Sequence, residues 1–214
     1  MDSSQNLTRL KGLSEKTGIE MIVIEEAEEI TKTEATRFLR SFMLSSYIDD
    51  PVQSATRQES SKARTVELPG ISFLVEHDLT EKLVDTLNKM FSYRQCSAFI
   101  SDDRTRDDKK QTISIIHSSD KYNILRLQQT SGGSYLFSTD SLVEKLQAFE
   151  KKYPFHFIGV GNDWLLIKTD NTPKDWTDFA KEVLKVCPPE DEVNIDKYSD
   201  EIKDANGRVS MWWD

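Results

Sequence analysis

Three side chains in the C-terminal half have the chemical types that a covalent hydrolytic site uses. Cys187 is a candidate nucleophile, His156 a candidate base, and Asp163 a candidate group to orient that base. Arg126 lies upstream and could hold an anionic group. If these four residues meet in the folded chain, they predict a site for a small hydrolase-type enzyme.

The sequence favours structural roles for these residues over catalytic ones. Cys187 continues the apolar face of a predicted helix, where a free cysteine behaves as a small, inert hydrophobe. A half-buried Arg126 needs a carboxylate partner, and Asp163 or Asp214 could supply one. The sequence therefore predicts a structural ion pair among Arg126, Asp163 and Asp214, and no catalytic residue.

The histidines and glycines indicate neither a metal site nor a cofactor. Glu76-His77-Asp78 is the only tight cluster of metal-ligand types, and Asp78 is better explained as the N-cap of a helix. The sequence Ser-Gly-Gly-Ser at 131–134 lacks the Lys-Ser/Thr ending of a phosphate-binding loop. A glycine pair is more typical of a plain turn.

The overall charge indicates which class of macromolecule the protein could bind. The chain has 214 residues, 28 of them basic and 37 acidic, with a net charge of −9. It lacks the basic stripe that nucleic-acid binding requires, whereas an acidic surface attracts basic proteins. Cys96 and Cys187 form no disulfide framework, the first residues lack the basic-then-apolar pattern of a secretory signal, and the longest apolar runs are only a few residues. These features predict a cytoplasmic protein that binds neither nucleic acid nor membrane.

The elements that must position these residues fall into three segments. Residues 1–45 are predicted to be an N-terminal module, with a strand at 21–24 and a helix at 32–45. Residues 46–70 contain turn-forming pairs and little periodicity, which predicts a linker or long loop. Residues 71–214 are predicted to be the main domain.

Hydrophobic periodicity in the main domain predicts strands joined by amphipathic helices. Helices are predicted at 78–91, at 141–152, from Thr172-Pro173 onward and at 198–205. Strands are predicted at 71–75, 97–101, 112–117, 122–128, 155–160, 164–169 and 209–213. Gly161-Asn162-Asp163 is a hairpin turn between two of them. This order predicts an α+β fold, with an antiparallel or mixed sheet and helices packed on one face.

Several short sequences in the second half resemble a bacterial family of unassigned activity, domain-of-unknown-function family 4253. The resemblance is clear over residues 121–214 and looser back to residue 69. It is carried by Tyr122–Arg126, Thr130–Gly132, Gly159–Trp164, Phe179–Val183, Cys187-Pro188 and Met211–Asp214. Family members usually follow Cys-Pro with Asp and a glycine-rich turn, but here residues 189–194 contain no glycine. The resemblance implies that this chain has lost any ligand held by that turn.

Charge, size and the absence of a catalytic motif favour a protein-binding function. The concrete hypothesis is a cytoplasmic immunity protein that neutralises a basic antibacterial toxin, and the alternative is the hydrolase described above. Trp212 and Trp213 point to opposite faces of the last strand, so one should be buried and the other exposed. The candidate contacts are Glu25, Glu26, Glu28, Glu29, Glu190, Asp191, Glu192, Trp212 and Trp213.

Overall fold

A single mixed β-sheet forms the centre of the molecule. The computed structural model describes residues 3–43, 63–102, 109–132, 137–189 and 191–213. The strands of the described residues are Thr36–Met43 (β1), Ala63–Glu76 (β2), Cys96–Asp102 (β3), Lys110–His117 (β4), Phe155–Val160 (β5), Trp164–Thr169 (β6) and Arg208–Trp212 (β7). Their order across the sheet is β1-β2-β4-β3-β5-β6-β7.

Seven α-helices among the described residues pack against this sheet. Their bounds are Ser3–Thr17 (α1), Met21–Thr31 (α2), Thr80–Phe91 (α3), Asn123–Gln128 (α4), Thr139–Glu150 (α5), Trp176–Val186 (α6) and Ile195–Asp204 (α7). Two 3₁₀ turns, His77–Leu79 and Ser92–Arg94, flank α3. The predicted α+β class and mixed sheet are confirmed.

The junction between β3 and β5 divides the sheet into two antiparallel halves. One half contains β1, β2, β4 and β3, and the other contains β5, β6 and β7. The two halves meet through the parallel pair β3 and β5, whose register joins Ile100 to Gly159. The centre of the sheet is thus held by a short parallel contact.

Helices cover both faces of the sheet, so the prediction that they lie on one face is wrong. Successive strand residues point to opposite faces, and the buried side chains accordingly form two clusters. In β6, Leu165 and Ile167 pack with α4–α7, whereas Trp164 and Leu166 pack on the side of α1–α3. Nearly continuous apolar strands such as β6 are therefore buried on both sides.

In the N-terminal module, the predicted strand is a helix and most of the predicted helix is a strand. Residues 21–24 begin helix α2, where Val23, Ile24, Ala27 and Thr31 are buried along one helical face. Residues 36–43, predicted as part of a helix, form β1 instead and pair with β2. The predicted linker is also too long at its C-terminal end, because residues 63–70 belong to β2. Residues 46–62 lie outside the described residues.

The remaining differences concern one element and several helix ends. Residues 123–128, predicted as a strand, form α4, which buries Ile124, Leu125 and Gln128. Asp78 does not cap α3, because the N-cap position is Leu79. The N-caps of the three later helices are Ser138, Asp175 and Asn194, each of which accepts a backbone N–H of the first turn. These helices therefore begin near, but not at, the predicted residues.

Candidate functional site

The four residues of the hydrolase hypothesis do not share one site. His156 lies near the start of β5, opposite Lys168 of β6. The thiol of Cys187 donates to the backbone oxygen of Trp212, which lies opposite Trp164 at the other end of β6. Four residues of strand separate these positions, or about 13 Å. The side chain of His156 also points to the α3 face of the sheet, whereas Cys187 packs with the α4–α7 cluster.

The predicted ion pair of Arg126 with Asp163 is wrong. Arg126 lies on α4 and donates to Asp120 at 2.7 Å, with Asp140 at 3.7 Å. Asp163 lies in the β5–β6 turn, where its backbone oxygen accepts the N–H of Trp213 at 2.8 Å. The strand prediction for residues 122–128 had placed Arg126 on a sheet face, but the helix directs it to Asp120. Asp214 lies outside the described residues.

Both thiols have environments opposite to those of catalytic cysteines. Burial raises the pKa of Cys187, and it raises the pKa of Cys96 to about 11. A reactive cysteine needs a lowered pKa, because the thiolate is the nucleophile. Cys187 therefore behaves as the small hydrophobe that its helical position indicates.

The acidic residues predicted as contacts divide between two distant parts of the surface. Glu25 and Glu29 are exposed on α2, and Glu26 is partly exposed. Glu28 instead has an internal role, because its carboxylate binds Arg9 at 2.7 Å and accepts the N–H of Ala35. Helix α2 packs near β2, five strand positions from β7, which corresponds to about 24 Å across the sheet.

The second acidic region precedes the last strand. Residues 191–204 contain six acidic and two basic residues, and all six acidic residues are exposed: Asp191, Glu192, Asp196, Asp200, Glu201 and Asp204. We call these residues, together with Trp212, the α7 surface. Trp212 is 43% exposed and Trp213 only 1%, which confirms that one tryptophan is core and the other is not. Glu190 lies outside the described residues.

The bond between Cys187 and Trp212 joins the two parts of the α7 surface. It places Cys187, which follows the last residue of α6, beside the backbone of Trp212. Asp191 is four residues beyond Cys187 and thus at most about 14 Å away along the chain. The indole of Trp212 points to the sheet face opposite Trp213 and α7, so the exposed tryptophan and the acidic segment flank the same edge of the sheet from opposite faces.

A cleft that the sequence reasoning missed opens at the N-terminal ends of β3 and β5. Its volume is about 590 Å³. Its polar lining includes Asp85, Asn88, Lys89, Lys121, His156, Lys168 and Asp170. Nδ1 of His156 lies 2.6 Å from Asp170, and Nε2 lies 3.9 Å from Asp85. The orienting carboxylate of His156 is therefore Asp170 rather than Asp163.

The register of the β5–β6 hairpin explains this pairing and could have predicted it. His156 lies opposite Lys168, so Asp170 comes two residues beyond the cross-strand partner. An imidazole oriented by a carboxylate is suited to proton transfer or to hydrogen bonding with a ligand. The other ring nitrogen faces Asp85 instead of a hydroxyl or a thiol. The contacts of the described residues thus hold no nucleophile–base–orienter triad around His156.

Two further features bear on the class of site. Among the described residues, His, Cys, Asp and Glu side chains form no group of three that could hold a metal ion. Within the same part of the chain, no helix combines the length and the apolar character that a bilayer crossing requires.

Comparison with known proteins identifies one family. The family described as "Domain of unknown function (DUF4253)" matches residues 112–214, which confirms the resemblance seen in the sequence. The matched region begins in β4 and contains α4–α7 and β5–β7. No curated protein matches the chain. No solved structure matches it either.

Proposed function

We propose that this chain, whose residues 112–214 match the DUF4253 family, is a non-enzymatic protein-binding module that engages a basic partner. The observation that carries the proposal is the α7 surface, which combines six exposed carboxylates of residues 191–204 with an exposed tryptophan on the edge strand β7. In its most concrete form, the protein is a cytoplasmic immunity protein and the partner is an antibacterial toxin.

Electrostatics supports this choice of surface. The excess of four negative charges within residues 191–204 is almost half of the net charge of −9. Only one ion pair among the described residues lies wholly within this segment, between Lys197 and Glu201 at 3.6 Å. Concentrated unpaired charge of one sign speeds the encounter with a partner of opposite sign and favours the matching orientation.

Trp212 supplies the apolar anchor that charge alone does not provide. Tryptophan is enriched among the residues that dominate binding energy, especially where surrounding polar groups exclude water. Trp212 lies on the edge strand β7, and the chain that leads to Asp191 and Glu192 starts from Cys187, whose thiol bonds to the backbone of Trp212. A partner with basic side chains around an apolar pocket fits this arrangement.

The test compares two variants with equal changes in net charge. Asp200→Lys with Asp204→Lys alters the α7 surface, and Glu25→Lys with Glu29→Lys alters α2. Each variant and the wild-type protein are immobilised and exposed, at low salt, to lysate from cells that naturally produce the protein. We expect the wild type and the α2 variant to capture the same basic protein, and the α7 variant to capture at least tenfold less.

A third protein, Trp212→Ala, tests the anchor without a change in charge. Its capture should fall by a similar factor, because hot-spot tryptophans contribute about 2 kcal/mol or more. Equal loss of capture in both charge variants would show that only net charge matters. That result, or recovery of no basic protein by the wild type, rejects the proposal.

A further inference from the structure

The cleft between β3 and β5 is a consequence of the parallel junction in the sheet. The two strands are joined at Ile100 and Gly159, so their N-terminal ends are free to separate. Asn88 of α3 takes the place of the missing strand. Its side chain accepts the N–H of Ala98 at 2.7 Å and donates to the carbonyl of Ala98 at 2.9 Å. The backbone N–H and C=O of Ala98, on the edge of β3 that faces the cleft, are therefore hydrogen-bonded although no strand lies beside them.

Cationic side chains converge on this cleft from separate elements. Lys89 comes from α3, Lys121 from the turn before α4, and Lys168 from β6. Within the described residues, Lys89 and Lys168 form no ion pair. Two lysines without an ion-pair partner are unexpected in this chain, because its acidic residues outnumber its basic ones by 37 to 28.

Lys121 is held in place by several partners. Its ammonium group binds Glu150, donates to the backbone oxygen of Phe155 at 2.7 Å and lies 4.1 Å from the centre of the Phe155 ring. Tyr122 donates to the same carboxylate at 2.7 Å. This wall of the cleft is therefore rigid before any ligand arrives, which lowers the entropic cost of binding.

The remaining lining divides into acceptors and apolar surface. Among the described residues, the polar neighbour of the Asp85 carboxylate is Nε2 of His156 at 3.9 Å, which is too far for a hydrogen bond, so Asp85 can accept one from a ligand hydroxyl or amine. Ala98, Ile124 and Phe157 form the apolar part of the wall. A volume of about 590 Å³ lies within the range of small-molecule sites, about 300–1,000 Å³.

We propose that this cleft binds a small organic anion, with a phosphate or carboxylate group at Lys89 and Lys168 and a hydroxyl group near Asp85. The lysines supply charge-assisted hydrogen bonds to the anionic group. The carboxylate of Asp170 holds the proton of the neutral His156 ring on Nδ1, so Nε2 accepts a hydrogen bond from a ligand in the neutral ring and donates one in the imidazolium. This site is separate from the α7 surface and does not depend on a protein partner.

The lining comes from both sides of the boundary of the matched family. Asp85, Asn88 and Lys89 precede residue 112, whereas Lys121, His156 and Lys168 follow it. The N-terminal half of the chain is therefore needed to complete the site. A fragment limited to residues 112–214 lacks the α3 wall.

Thermal unfolding of the full chain tests the proposal with four probes, each titrated at constant ionic strength. Inorganic phosphate and glucose 6-phosphate represent the phosphate class, and acetate and citrate represent the carboxylate class. A ligand at a hundred times its dissociation constant should raise the melting temperature by about 5–10 °C. We expect saturable shifts within one class, with glucose 6-phosphate or citrate stronger than the simple anion of its class.

Matched variants show whether the shift comes from this cleft. Lys89→Gln with Lys168→Gln should raise the dissociation constant at least tenfold. The control Lys11→Gln with Lys203→Gln removes the same charge from exposed lysines of α1 and α7 and should leave binding unchanged. The proposal is overturned if no probe gives a saturable shift, or if both double variants weaken binding equally.

Discussion

Replacing Asn88 with alanine tests the physical basis of the cleft. The carboxamide of Asn88 makes both of its hydrogen bonds to the backbone of Ala98, a residue that is only 3% exposed. Alanine removes both partners at once. The edge of β3 that faces the cleft then has one unsatisfied donor and one unsatisfied acceptor.

The expected loss of stability follows from these two bonds. Each contributes about 1 kcal/mol net, and a buried backbone group left without a partner costs about 1–3 kcal/mol. Alanine recovers about 0.5 kcal/mol through its higher helix propensity. The free energy of unfolding should therefore fall by about 2 kcal/mol, which lowers the melting temperature by about 4–8 °C in a chain of this size.

Urea unfolding of Asn88→Ala measures this loss, and Thr86→Ala is the matched control. Thr86 lies on the same helix, but among the described residues its hydroxyl bonds to the carbonyl of Lys82 alone, one turn earlier. The control should stay within about 0.5 kcal/mol of the wild type. Native-state exchange of the Ala98 amide should also be faster in Asn88→Ala. Equal stability of the two variants, with unchanged exchange at Ala98, would refute the role assigned to Asn88.

Three further predictions concern the core. Burial and the bond to Glu150 raise the pKa of Tyr122 above its unfolded value of about 10. The contribution of the phenol to the free energy of unfolding is therefore full below about pH 10 and decreases as the pH rises above it. The stability difference between wild type and Tyr122→Phe in urea should therefore shrink above about pH 10; a constant difference contradicts this. A Cβ on Gly161 would lie 1.9 Å from Trp164 Nε1, whereas one on Gly12 meets nothing within 4 Å. Gly161→Ala should lose about 3 kcal/mol in urea unfolding, and Gly12→Ala should lose nothing. Trp213→Ala should lose about 3–5 kcal/mol by the same assay and Trp212→Ala less than about 1, in keeping with their burial; similar losses contradict the assignment.

The elements predicted well are those whose own sequence determines them. The β5–β6 hairpin combines two apolar runs with a Gly-Asn-Asp turn, and α3, α5 and α6 each carry an apolar stripe over at least eleven residues. Such patterns depend on local geometry, so the sequence is sufficient to recognise them. The two tryptophans of the last strand were assigned to opposite faces for the same reason.

The elements predicted wrongly have short apolar runs that suit either structure. Residues 21–24 contain four successive apolar side chains, which fit a buried strand as well as the first turn of α2. In residues 36–43, the buried Phe38 and the exposed Leu39 satisfy either periodicity locally. The pairing of residues 36–43 with β2, at partners twenty or more residues later in the chain, determines that they form a strand. Tertiary contacts override local preference in such segments.

The cleft was missed because it depends on a long-range neighbour relation. β3 and β5 are separated in sequence by β4, α4 and α5, and no local pattern indicates that they lie side by side. His156 was recognised as a candidate base, but its partner was taken to be Asp163 in the turn. The register places Asp170 beside it instead.

Hydrogen–deuterium exchange of the full chain, alone and in complex with the captured basic partner, tests the central claim most directly. The claim is that binding occurs at the α7 surface, formed by the exposed carboxylates of residues 191–204 together with Trp212. We predict that the partner slows exchange in peptides from α7 and β7 and leaves exchange in α2 unchanged. Protection confined to α2, with α7 and β7 unaffected, would contradict it.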